Sequence, residues 1–268
     1  MNARIRLAVR SLGLGVLLAV AISALATGIA QATHPVDAPA ALPRVALVHL
    51  APFASGAESA VTIKVDSIPV IAGIEYGGSS AGYLPVPAGN HLVEVYTGAS
   101  STPAISSMID LTVDTDYTAF IVGDGTNQPL DIKLMQDDNT VPSGSFFKVR
   151  IGHLAPFANT IPGTLVDVRL QDGTLVLSNV PYGAVSPTYV QLPAGLYDLK
   201  ITAPGGSPTL IDPLAVTLSS GSILSLFVAG DGLHQELDIF ALPSGEQGFF
   251  LPLHRRDLYL PVIFRNQQ

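Results

Sequence analysis

Cysteine is absent from this chain of 268 residues, and so is tryptophan. Without thiols there is no disulfide, no thiolate zinc site and no lipobox cysteine to acylate. The core must therefore come from packing alone, which a domain of about 100 residues can manage. Charge is scarce too, at 13% Asp, Glu, Lys and Arg. Three of the 13 basic residues (Arg4, Arg6 and Arg10) fall in residues 1–32, which hold none of the 21 acidic ones, so the remainder carries a net −11. Such a body repels dense phosphate, and no nucleic-acid partner is expected. Beyond residue 32 no stretch keeps a 3.6-residue apolar period for three turns, so long amphipathic helices are not expected either.

What is present begins with those arginines, the apolar run LGLGVLLAVAISALATGIA and an Ala30-Gln31-Ala32 site. This order describes a secretory signal peptide over residues 1–32, cut before Thr33. Left uncut, the run approaches the roughly 20 residues that cross a bilayer, and membrane contact is expected only through it. The mature protein is thus expected to be secreted or held at the cell surface. At the other end, residues 244–268 form an apolar tail interrupted by Pro252 and Pro261. It is read as an added edge strand or an export or surface-attachment signal.

Between the ends the chain repeats itself. His49-Leu-Ala-Pro-Phe-Ala returns at His153, an offset of 104. Asp66, Tyr76, Tyr83 and Pro87-Ala88-Gly89 pair with Asp172, Tyr182, Tyr189 and Pro193-Ala194-Gly195 at 106. Gly123-Asp124-Gly125 and Leu130-Asp131-Ile132 pair with Gly230-Asp231-Gly232 and Leu237-Asp238-Ile239 at 107. Landmarks kept in one order with a drifting offset mark a tandem duplication with loop insertions. The units are placed at 44–138 and 148–243, after a linker at 33–43 and joined by a second at 139–147.

Each unit reads as strands. Val61, Ile63 and Val65 alternate with Thr62, Lys64 and Asp66; Val166, Val168 and Leu170 alternate with Asp167, Arg169 and Gln171. Period two with one polar face is a half-buried strand, and turn signals every 8–12 residues fit a sandwich. Asp172-Gly173 is expected to supply both positive-φ positions of a type I′ hairpin, with Asp66-Ser67 a looser version. Pro-Ala-Gly is expected to form a three-residue hairpin. The fold class is all-β: two tandem antiparallel β-sandwich domains, Ig-like or prealbumin-like.

The carriers Val45, His49, Leu50, Pro52, Tyr76, Gly77, Tyr83 and Pro87 to Gly89, with their second set from Val149 to Gly195, resemble a bacterial extracellular repeat. That repeat is catalogued as a domain of unknown function, number 4397. The resemblance covers most of 44–243 and implies a secreted β-sandwich with no catalytic residues to carry over. It departs after His-Leu, where Ala-Pro-Phe replaces the Ser-Pro-Asp common in such repeats.

Six residues are singled out as structural or ligand positions. His49 and His153 fall on the apolar face of a strand end, where a ring nitrogen can bond a loop carbonyl. Tyr83 and Tyr189 are read as core with a tethered hydroxyl, or as platforms for a sugar. Asp124 and Asp231 are read as turn residues bonding their own backbone; as calcium ligands they lack the regular spacing. Gly78-Ser79-Ser80-Ala81-Gly82 has the form of a nucleophile elbow, but Tyr83-Leu84-Pro85-Val86 after it reads as strand, not the helix an elbow needs. No catalytic residue, cofactor or metal is expected. The reading is a non-catalytic binding or structural protein whose partner is an extracellular protein or a glycan. Its alternative is a carbohydrate-binding module or weak hydrolase, with Glu75 and Glu94 as formal carboxylates.

Overall fold

A computed structural model describes residues 40–254. The signal-peptide reading and the tail beyond His254 lie outside the described residues. Repeat 1 contributes eight strands: β1 (Arg44–His49), β2 (Val61–Val65), β3 (Ile68–Ile74), β4 (Leu84–Pro85), β5 (Gly89–Thr97), β6 (Ile105–Leu111), β7 (Asp116–Val122) and β8 (Asp131–Asp137). They form two sheets, β4-β1-β7-β8 and β3-β2-β5-β6. Pairing is antiparallel except between β1 and β7. Val45, Leu47, Tyr117, Ala119 and Ile121 of the first sheet close on Val61, Ile63, Val93 and Val95 of the second, giving an apolar sandwich core.

Repeat 2 contributes β9 (Phe146–His153), β10 (Val166–Leu170), β11 (Leu175–Val180), β12 (Val190–Pro193), β13 (Gly195–Tyr197), β14 (Leu199–Thr202), β15 (Thr209–Ile211), β16 (Val216–Leu218), β17 (Ile223–Ala229), β18 (Asp238–Pro243) and β19 (Phe249–Phe250). The first sheet here is β12-β9-β17-β18-β19 and the second β11-β10-β14-β15, with β13-β16 a separate ladder. The chain is all-β, two sandwiches in tandem. Phe249 and Phe250, from the expected tail, add an edge strand to β18.

The polar side of the alternation was expected to mean solvent. On the two first sheets it means the other repeat. Along β7, residues 117, 119 and 121 enter the repeat 1 core, while Phe120 and Val122 join a third cluster with Val48, Phe227, Ala229 and Phe240. Phe120 and Phe227 meet at a ring-centroid distance of 4.6 Å. Even Lys148 and Arg150 on β9 are buried. The layers therefore run outer, inner, inner, outer, and both inner sheets are covered on both faces. Such strands read as near-continuous apolar runs, which YTAFIV and ILSLFVA do. Gly152 belongs to this contact: opposite Phe227 in register, it would place a Cβ 2.6 Å from that ring.

Two turn expectations are corrected. Asp66 and Ser67 form the tight two-residue loop, both with positive φ (49° and 68°), and Val65 pairs directly with Ile68. The Asp66 carboxylate makes this tolerable by accepting from Leu92 N–H at 2.9 Å and meeting His91 Nδ1 at 2.7 Å. In the matching turn of repeat 2 Gly173 alone has positive φ, and the Leu170 N–H donates to Thr174 O, so the loop is one residue longer. Pro-Ala-Gly forms no hairpin. β4 pairs with β1 and β5 with β2 and β6, so Pro87-Ala88-Gly89 carries the chain from one sheet to the other. Pro85 and Pro87 cannot donate to a ladder, and the chain changes sheet where they stand.

Candidate functional site

The repeated landmarks assemble at the ends of the inner sheets. His49 and His153 are fully buried there. His49 Nε2 donates to Ser59 O at 2.8 Å and Nδ1 accepts from Ala51 N–H at 3.3 Å. His153 does the same with Thr164 O at 2.7 Å and Ala155 N–H at 3.3 Å. Each ring stacks on the Phe of its own Ala-Pro-Phe segment, Phe53 or Phe157. Burial, partly offset by the backbone partners, pushes both imidazoles down to about 4. With both nitrogens committed, neither ring has a lone pair left for a metal or a substrate proton. The same turns fix the Tyr-Gly step: the Ser59 and Thr164 hydroxyls accept from Tyr76 and Tyr182 N–H, each at 3.0 Å.

Asp124 and Asp231 shape their own loops. Asp124 Oδ1 accepts from the N–H groups of Thr126, Asn127 and Gln128, and Asp231 Oδ1 from those of Leu233, His234 and Gln235. Burial works to raise the Asp231 carboxyl, but these donors and His234 outweigh it and hold it below the ordinary range. Gly123 and Gly230 precede them at φ +85° and +90°, where a Cβ would lie 2.0 and 1.9 Å from a carbonyl oxygen across the loop. Among the described residues no group of three His, Asp or Glu is placed to hold a metal ion.

What these loops do is reach across. Gln128 Nε2 of repeat 1 donates to Ala158 O of repeat 2 at 3.0 Å, and Gln235 Nε2 of repeat 2 donates to Ala54 O of repeat 1 at 2.7 Å. Asn127 Nδ2 donates to Pro156 O, and Ser55 Oγ to His234 O. Each Gly-Asp-Gly loop therefore seats on the His-Leu-Ala-Pro-Phe loop of the other repeat, the reciprocity of a two-fold relation. The two glutamines stand at an offset of 107, so the shared Gln in GDGTNQ and GDGLHQ was the available signal. Gln128→Ala and Gln235→Ala are expected to cost about 1 kcal/mol each, additively, as a net hydrogen bond does. Urea unfolding of both single variants and the double checks this.

Tyr83 and Tyr189 converge on one carboxylate. Tyr83 Oη donates to Asp137 Oδ2 at 2.8 Å and Tyr189 Oη to Asp137 Oδ1 at 3.3 Å. Thr118 Oγ1 also donates there, at 2.7 Å, and Arg150 Nη2 closes an ion pair with Asp137 at 2.6 Å. The Arg150 guanidinium lies over the Tyr189 ring, 4.8 Å from its centroid, while its Nη1 donates to Gln136 O. Burial and the neighbouring Asp137 charge push the Tyr189 hydroxyl up to about 12 and raise that of Tyr83 further. These phenols stay protonated as donors, and their rings are not free as platforms.

Ser80 is no elbow. Its hydroxyl accepts from Leu47 N–H at 3.0 Å and donates to Gly82 O at 2.7 Å, extending the edge of β1. Ser186 accepts from Ile151 N–H in the same way. The two serines are 106 apart, a match the altered surroundings conceal.

The sequence profile described as "Domain of unknown function (DUF4397)" matches residues 43–162 and 157–246. No curated protein matches the chain. Among solved structures it is similar to one titled "Alpha-glucan recognition by family 41 carbohydrate-binding modules from streptococcal virulence factors", at 11% identity and a TM-score of 0.24, over 70% of this chain and 93% of that one. It is also similar to the Bacillus anthracis TIE protein, at 12% identity and a TM-score of 0.20, over 80% of this chain and 48% of that one. The chain thus spans about half of the second structure. Scores this low carry no argument about activity.

Proposed function

Because the chain belongs to the family catalogued as Domain of unknown function (DUF4397), with two adjacent copies, we propose that it is an exported, non-catalytic module that binds or spaces at the cell surface. The observation that carries this reading is the commitment of the six landmark side chains. His49, His153, Asp124 and Asp231 spend their polar atoms on loop backbone and immediate loop neighbours, and Tyr83 and Tyr189 spend theirs on the contact between repeats. A pair of sandwiches held this tightly presents loop tips and outer sheets at fixed spacing, which suits recognition of an extracellular protein or glycan.

Expression of the full chain in a bacterial host tests the reading. The expected result is protein outside the cytoplasm beginning at Thr33 by mass spectrometry, with no turnover of ester, peptide or glycoside substrates. Retention in the cytoplasm with Met1 intact would sink the export half. A hydrolase activity abolished by Ser80→Ala or His49→Ala would sink the other. A glycan array, with and without Ca²⁺, separates sugar from protein as the partner.

A further inference from the structure

Sheet edges separate the two repeats. Among the described residues the four larger sheets have eight edge strands. An edge offers a row of free N–H and C=O groups, and proteins that stay single blunt it with brevity, proline or charge. Here β4 and β19 have two residues, β15 three, and β12 four ending at Pro193. Charge marks the longer edges β6 (Asp110) and β8 (Asp131, Lys133 and Asp137), and Pro69 lies within β3. β11 remains: its six residues, LVLSNV, hold no proline, glycine or charge.

β11 is the copy of β3. Arg169 pairs with Leu175 as Lys64 pairs with Pro69, Asn179 takes the left-handed φ that Gly73 takes, and both strands slip register at the same two places. The bulges are thus shared, and the lost proline is what differs. Thr174 O accepts from Leu170 N–H at 2.9 Å, so the next peptide groups along the strand turn outward, where Leu175 has an N–H to give and Pro69 has none. Leu175, Val176 and Leu177 are 47%, 47% and 39% exposed. Three consecutive apolar side chains stand open to water there, the mark of a surface that meets a partner.

Two features select a second copy of this chain as that partner. The first is charge. Beyond residue 32 the chain carries a net −11, so two copies repel over most of their surface. Strands β10, β11, β14 and β15 with the β10–β11 loop hold Asp167, Arg169, Asp172 and Lys200, which cancel, and no charged residue falls between Asp172 and Asp198. The second is symmetry. Thr174-Leu-Val-Leu-Ser178 has the same character read in either direction. Antiparallel pairing about Val176 therefore sets Leu175 against Leu177 of the partner subunit and Thr174 against Ser178 of the partner subunit.

We propose that two copies of this chain pair edge to edge along β11, joining two four-stranded outer sheets into one of eight. A two-fold contact of this kind closes on itself and builds no fibre. One strand pair buries less than the roughly 1,200 Å² of a standard interface, so a reversible pair with Kd on the order of 10⁻⁵ M is expected. The inference goes beyond the binding role proposed above and stands without it, since it concerns the purified protein wherever the cell places it.

Sedimentation velocity on the purified protein, from about tenfold below to about tenfold above that Kd, tests it. Monomer should give way to dimer and to nothing larger. Leu175→Pro, which installs the residue repeat 1 accommodates in this register, should weaken the pairing at least about tenfold and leave the circular dichroism of the monomer unchanged. Should that variant fail to fold, Val176→Lys brings two like charges together at the two-fold and should weaken the pairing as much. Val70→Lys, at the copy of Val176 in repeat 1, should leave it within about twofold. A monomer at every concentration, species that grow past the dimer, a dimer that Val176→Lys leaves intact, or an equal loss from Val70→Lys each overturns the proposal.

Discussion

Acidification from pH 7 to pH 4 is expected to destabilise the fold by about 6 kcal/mol, about 3 from each buried histidine. In the unfolded chain each imidazole takes a proton near pH 6.5; in the fold, burial holds this off until about 4. Between those values the unfolded state binds more protons, so stability falls as pH falls, and it is fully present only above about 6.5. Asp238 works the other way. Burial, helped by Glu236, holds its carboxyl up to about 6, so its cost is felt above that pH and relieved below it. Being partly exposed, it offsets little of the histidine effect. Asp66 raises the pKa of His91, whose contribution is present at low pH and fades as pH rises. Urea midpoints at pH 7, 5.5 and 4.5 provide the measurement. A flat profile would show that neither ring is held neutral.

Arg150→Met should cost about 3–5 kcal/mol, the penalty for leaving one member of a buried ion pair without its partner. Side-chain exposures of 4% for Arg150 and 1% for Asp137 place both charges out of reach of water. Tyr83 and Thr118 continue to donate to the stranded carboxylate, which sets the lower bound. Adding Asp137→Asn to that variant should recover at least half of the loss, because a neutral amide still accepts from Tyr83 and carries no charge to desolvate. Thermal or urea unfolding of the two single variants and the double yields the coupling directly. A single-variant loss under about 1 kcal/mol would mean that water reaches the pair.

The strands and their pairing into sandwiches were legible because period two and turn chemistry are local. The inward placing of the histidines was legible because parity put Val149, Ile151 and His153 on one face. The contact between repeats was not, for two physical reasons. An alternating strand looks the same whether its second face meets water or another sheet, so nothing in the alternation marks Arg150 as buried. The Asp137–Arg150 pair also occurs once: the matching positions are Ser244 and Ala46, so a search for what the copies share passes over it. Pro-Ala-Gly misled for a related reason. The tripeptide bends the chain equally well as a hairpin or as a step between layers, and the choice lies with distant strands.

The reciprocal seating of the loops makes each half a missing wall for the other. Cut apart, either half would bare Val48, Phe120 and Val122, or Phe227, Ala229 and Phe240, to water, a greasy plate seeking a mate. Fusing the halves on one polypeptide gives each a tethered mate at about millimolar effective concentration, so dilution does not part them. Dilution, fatal to a loose pair, is thereby without consequence for this one.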